Sequence, residues 1–152
     1  MLAGLVGAVL LAAALTGCGD DGPTTAEAGA AMLDAIKRFE GEAGLSAVSV
    51  EQDGTRDRPC TGDGDGRFKR VYASRGTVSK APDARVGTSI VTGELVRVGY
   101  ELTSADPAEI SRSRTVTART KDSPVSTATV TLDPSLTGLQ VVVATPCLRK
   151  PG

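Results

Sequence analysis

The sequence predicts an α+β domain built as a two-layer sandwich, an antiparallel sheet with two helices on one face. Three observations predict it. A capped apolar stripe at helical spacing follows residue 24, and a second segment is framed by Pro82 and Gly99. From residue 107 onward, short alternating runs are separated by turn residues. A helix ahead of each group of strands, with the strands joined by short turns, places the helices on one side of an antiparallel meander.

The first helix is expected over about residues 25–40. Thr24-Thr25-Ala26-Glu27 fits a capping box, in which the Thr24 hydroxyl accepts from an amide three residues on while Glu27 reaches back. Ala28, Met32, Ala35, Ile36 and Phe39 recur at helical spacing and form one apolar stripe. Lys37 and Arg38 suit the negative end of the helix dipole, and Gly41 or Gly44 supplies the stop. Val48 and Val50 then alternate with Ser49 and Glu51, which reads as a half-buried strand ending at the Asp53-Gly54 turn. Arg56 to Gly66 is too rich in glycine and charge to be anything but a loop. Phe68 to Val78 reads as a second strand, with Gly76 as its bulge.

Residues 83–97 admit two readings. Pro82 at the first helical position and Gly99 as a left-handed stop frame a helix, followed by a strand over 99–103. Against this, Thr92-Gly93 could turn a hairpin, and Val96, Val98, Tyr100 and Leu102 alternate as a strand does. The helix is preferred on its frame. After Asp106-Pro107 the pattern is strands: one around Thr115–Thr117, one from Val125 to Leu132, and a last from Leu139 to Thr145. Lys121-Asp122-Ser123-Pro124 and Asp133-Pro134-Ser135 turn between them. Met32, Ile36 and Phe39 are expected to pack on Val48, Val50, Val130, Leu132, Val141 and Val143.

Composition narrows the function. The chain has no His, no Trp and no Asn, and its 17 basic residues nearly balance 18 acidic ones. A near-neutral balance argues against nucleic acid as a partner. Without His there is no Ser-His-Asp or Cys-His pair, and the commonest zinc ligand is missing. No phosphate-cradling GxxxxGK and no Ser-x-x-Lys occurs. Asp63-Gly64-Asp65-Gly66 invites calcium, but Arg67 stands where the next oxygen ligand would be and no bidentate Glu follows. No cofactor, metal or catalytic residue is therefore expected.

The N-terminal stretch is more specific. Leu15-Thr16-Gly17-Cys18 closes an uncharged run from Leu2 made only of Leu, Val, Ala and Gly. At this length the run is too short to span a bilayer, which takes about 20 apolar residues. The stretch resembles a bacterial lipobox, although such signals usually begin with Lys or Arg, and here only the amino group of Met1 is positive ahead of Cys18. The resemblance implies that residues 1–17 are an export signal, that Cys18 is acylated and that residues 18–24 tether a domain at 25–152 outside the cytoplasm. With Arg well above Lys and with Ala and Gly abundant, the chain is similar in style to the small lipoproteins of actinobacteria, many of them uncharacterised. If lipid takes Cys18, two cysteines remain in an oxidising compartment, and Cys60 and Cys147, each beside a proline, are expected to form a disulfide.

One further stretch could meet a partner. Arg67-Phe68-Lys69-Arg70-Val71-Tyr72 interleaves basic and aromatic residues, and Arg67, Lys69 and Arg70 make a candidate patch for an anionic wall or lipid component. Arg112 and Arg114 would extend it if their strand lay alongside. The plainer alternative is a strand with a solvated basic face. The function expected is a non-catalytic, membrane-anchored binding or interaction module of the cell envelope. An envelope hydrolase using carboxylates and a structural accessory subunit are the alternatives.

Overall fold

Thr24 starts the fold as its side chain predicts. The computed structural model describes residues 22–62, 66–79, 81–103, 107–122, 124–133 and 138–151. The Leu15–Cys18 stretch and Asp63-Gly64-Asp65 lie outside the described residues. Helix α1, Thr25–Glu42, carries the full capping box: the Glu27 amide donates to Thr24 Oγ1 at 3.3 Å, and the Thr24 amide donates to Glu27 Oε2 at 2.8 Å. Its stripe of Ala28, Met32, Ala35, Ile36 and Phe39 is buried. The helix runs to Glu42 before Gly44 turns the chain at φ 65°, so its last turn holds no basic residue. Lys37 and Arg38 sit too early to complement the dipole there.

The strands are β1 (Leu45–Asp53), β2 (Arg58–Pro59), β3 (Phe68–Lys69), β4 (Val71–Val78), β5 (Tyr100–Leu102), β6 (Thr115–Thr120), β7 (Thr127–Leu132) and β8 (Gly138–Ala144). Six of them form one antiparallel sheet in the order β1-β4-β8-β7-β6-β5, and β2 and β3 form a separate ribbon. The last strand of the chain inserts beside β4, so the meander β5-β6-β7-β8 closes onto the β1–β4 hairpin. Helix α2, Ala84–Arg97, links the two groups. Asp83 caps it by accepting from the Val86 amide at 2.9 Å, and Gly99 at φ 100° releases the chain into β5. The helical reading of residues 83–97 therefore holds, with Asp83 rather than Pro82 defining the start.

Both layers share one core. From the sheet, Tyr72, Val78, Leu139, Val141, Val143, Ala128, Val130, Leu132, Val116 and Ala118 point inward. From the helical layer come Met32, Ile36 and Phe39 of α1 and Val91 and Leu95 of α2. Helix α1 contacts β1 and β8, and α2 contacts β5, β6 and β7, so the two helices divide the sheet between them. The outward face is rich in threonine: Thr115 pairs with Thr131 and Thr117 with Thr129, as suits a pleated surface open to water.

Four expectations are corrected. The region after Asp106-Pro107 begins with a third helix, α3 (Pro107–Ser113), before the strands. Proline suits a first helical position, and Ile110 of this helix is buried. The stretch 68–78 is not one strand, because the chain breaks at Arg70 between β3 and β4. Gly76 is not a bulge: it pairs in register with Leu139, while the register shifts fall in the facing strand β1, between Ser46 and Ser49 and between Val50 and Gln52. Finally, Val48 and Val50 are not core. They are 39% and 51% exposed, because β1 is an edge strand, irregular in register and with a left-handed Ala47 (φ 51°), and no element covers these two side chains. Val48 lies over the space that the missing side chain of Gly76 leaves.

Candidate functional site

The polar features of the molecule gather around the start of α1, the β2–β3 ribbon and the chain's last residues. Cys60, just after β2, and Cys147, just after β8, are disulfide-bonded, with Cα atoms 6.2 Å apart and a sequence separation of 87. Around the bridge the backbone forms a three-part ribbon. Arg58 pairs with Lys69 and Pro59 with Phe68, and Phe68 exchanges hydrogen bonds with Leu148 at 2.8 and 2.7 Å. The Arg149 carbonyl then accepts from the Thr25 amide at 3.0 Å. The C-terminal tail thus supplies an acceptor for one of the N–H groups that a helix start leaves unpaired. Lys150 places its ammonium 4.7 Å from the centre of the Phe68 ring, a cation–π contact that holds the tail across β3.

The basic residues singled out from sequence do not make one patch. Arg67 is exposed and Lys69 half-buried. Arg70 turns inward and forms an ion pair with Asp57 at 2.7 Å, both side chains less than one-fifth exposed. Its stem lies where a side chain on Gly29 of α1 would go, which explains a glycine inside a helix. Arg70's hydrogen bond and charge hold the Asp57 carboxyl below its ordinary range, against the opposing effect of burial. Arg70 is accordingly part of the packing between α1 and the β1–β2 loop, and the patch with Arg67 and Lys69 is corrected to that extent. Arg112 and Arg114 lie beside β6, three strands from β4 in the sheet order, about 14 Å at the usual strand spacing. They do not extend the basic surface.

A cleft of about 340 Å³ opens between the end of β1, the loop that follows and Val71. Two arginines, Arg56 and Arg58, line it and are exposed. Asp57 between them turns instead to Arg70. The acidic residues of the cleft have other close partners, although Asp53 also feels the charge of Arg56. Glu51 pairs with Arg75 at 2.6 Å, and Asp53 Oδ1 accepts from the Thr55 amide at 3.0 Å and the Thr55 hydroxyl at 2.8 Å. Those two bonds also hold the Asp53 carboxyl below its ordinary range. Gly54, at φ 73° and against Leu33 and Met32 of α1, sets the floor. Sequence reading passed over Arg56 and Arg58 as loop residues. The Arg-x-Arg spacing was the available signal, but only the Asp57–Arg70 pair tells which way each side chain turns.

A second polar cluster lies under the sheet. Glu40 on α1 accepts from the Tyr72 hydroxyl at 2.9 and 3.1 Å and from Ser74 Oγ at 2.6 Å. Tyr72 and Ser74 are buried. Burial first, with Glu40's hydrogen bond and negative charge adding, pushes the Tyr72 phenol up to about 12. The cluster pins α1 to β4 with one carboxylate and two hydroxyls. Among the described residues, no group of three His, Cys, Asp or Glu could hold a metal ion, and no helix is long and apolar enough to cross a membrane.

Comparison with protein-family models, with curated proteins and with solved structures finds no match to this chain.

Proposed function

We propose that this chain is an exported, lipid-anchored protein of the cell envelope, held to the membrane through Cys18, whose domain binds a partner rather than transforming a substrate. The observation that carries the reading is the pairing of Cys60 with Cys147 downstream of the Leu15-Thr16-Gly17-Cys18 stretch. Disulfides persist in oxidising compartments, and of the three cysteines this pairing leaves Cys18 over. The start of α1 at Thr25 supports it too, since it leaves only a short polar tether after Cys18. A binding role draws support from the carboxylates. Glu40 is committed to Tyr72 and Ser74, and Asp57 to Arg70, where each fastens one element to another. Two-chain acylation makes membrane attachment stable, whereas one chain alone gives marginal binding.

The test is Cys18→Ala in a bacterial host that processes lipoproteins. The variant should lose the acyl mass and leave the membrane fraction, or persist as the unprocessed precursor. Unchanged processing and membrane retention would refute the anchor.

A further inference from the structure

The geometry points to the Arg56–Arg58 cleft as a binding site for a phosphate group, carried by the headgroup of an anionic lipid in the same bilayer that holds Cys18. Three observations lead there. The first is chemical: two guanidiniums line one cleft, and among the described residues neither makes an ion pair within 4.0 Å; Glu51 pairs with Arg75, and Asp53, hydrogen-bonded to Thr55, meets Arg56 only through longer-range attraction. Guanidinium presents a rigid fork of donors that matches phosphate oxygens, and two on one side of a concavity favour a dianionic or ester phosphate over a monatomic anion.

The second observation is the device that keeps them there. Asp57 would neutralise its neighbours if it shared their side of the chain. It is instead held by Arg70 on the opposite side, behind Gly29. The cleft thus keeps its positive charge by a specific ion pair beneath it.

The third is position. Arg58 pairs with Lys69, and Phe68 next to it is bonded to Leu148, so two strand spacings, about 10 Å, separate Arg58 from the C-terminal tail. Gly22 and Pro23 line a hollow with Leu148 and Arg149 on that tail. From Gly22 back to Cys18 is four residue steps, at most about 14 Å of extended chain. An acylated Cys18 therefore brings the cleft's end of the domain to headgroup depth. The chain as a whole carries a formal net charge of -1. Recognition then rests on the paired arginines and not on a diffuse positive field.

The lipid source rests on the anchor reading, whereas the phosphate site does not. The experiment is calorimetric titration of the full chain in non-ionic micelles with glycerol 3-phosphate, and separately with short-chain phosphatidylglycerol and phosphatidylcholine. Both anionic probes should bind, more weakly as salt is raised, with phosphatidylglycerol preferred to phosphatidylcholine. The double variant Arg56→Gln, Arg58→Gln should weaken both by roughly tenfold or more, while Arg85→Gln, Arg112→Gln on the helices should not. Arg56 and Arg58 are exposed, so unchanged melting of the variant checks that it folds. Failure of both anionic probes to bind, or equal binding by the Arg56, Arg58 variant, overturns the site. Binding of glycerol phosphate without phosphatidylglycerol overturns the lipid source. Mass analysis of Cys18 decides the anchor separately, and an unacylated Cys18 leaves the micelle titrations valid for the cleft.

Discussion

Tyr72 and Arg70 are two residues apart, and each secures α1 in a different way. The Tyr72 hydroxyl donates to both oxygens of Glu40, so Tyr72→Phe leaves a half-buried carboxylate with Ser74 alone. A hydrogen bond to a charged group is worth about 1.5–3 kcal/mol, and thermal or urea unfolding of the variant should fall by that order. The same residue predicts an alkaline limit. Its phenol titrates near 12 in the fold against 10.0 ordinarily, so the folded state favours the neutral form. Its contribution is whole below about pH 10 and is lost as pH rises from there toward about 12. Stability measured across that window should decline in the natural protein and decline less in Tyr72→Phe; Tyr100, also raised by burial, keeps a residual slope. Asp57 acts in the other direction. Its folded carboxyl is depressed, so its contribution is present above the ordinary value of 3.8 and is lost as pH falls below it. Gly29→Ala tests the Arg70 pair directly. Alanine gains up to about 1 kcal/mol in helix propensity, but its methyl would occupy the place of the Arg70 stem, and the variant should melt lower.

At the scale of elements, the β2–β3 ribbon is the weakest part and the disulfide its fastening. Two residues a side cannot persist alone, so the ribbon depends on Leu148 and on the Cys60–Cys147 bridge. Chain entropy for a loop of this size amounts to about 4–5 kcal/mol. The double variant Cys60→Ser, Cys147→Ser should therefore show a lower melting temperature. Its amides at Thr25, Phe68 and Leu148 should exchange with solvent well before those of β7 and β8. Equal exchange protection with and without the bridge would show that the tail is held by packing alone. Helix α2 gives a sharper comparison. Asp83 holds the Val86 amide, so Asp83→Ala should cost about 1 kcal/mol, whereas Pro82→Ala, one residue outside the helix, should cost much less. Denaturant midpoints of the two variants distinguish a cap at residue 83 from a helix that starts at the proline.

On the scale of the whole molecule, the sheet order explains why the start of α1 and the C-terminal tail meet. The last strand enters beside β4, in the middle of the sheet, and carries residues 145–151 across to the start of α1. Gly22 and Pro23 before α1, the tail and the arginine cleft consequently share one end of the domain. If the anchor holds, trimming Leu148 and the residues after it should expose Phe68, unpair the Thr25 amide and loosen the membrane-facing end without unfolding the sheet. Limited proteolysis after such a truncation should cut first between residues 54 and 70. Cleavage first within β6 to β8 would show that the tail supports the sheet instead.

Local chemistry made much of this readable. The capping box of Thr24 and Glu27, the stripe from Ala28 to Phe39 and the alternation of β7 and β8 depend on neighbours within a few residues, so sequence alone determined them. The pairing of Cys60 with Cys147 followed from counting cysteines once Cys18 was set aside. What tertiary structure alone decided has a common cause. Alternation states which side of a strand a residue takes, but not whether another element covers that side; Val48 and Val50 alternate as core residues do and are exposed because β1 is an edge. Arg70 reads as a solvated cation until Asp57 arrives from the preceding loop and Gly29 makes room for its stem. The cleft is legible only afterwards, because an arginine's availability depends on which partners the fold brings to it.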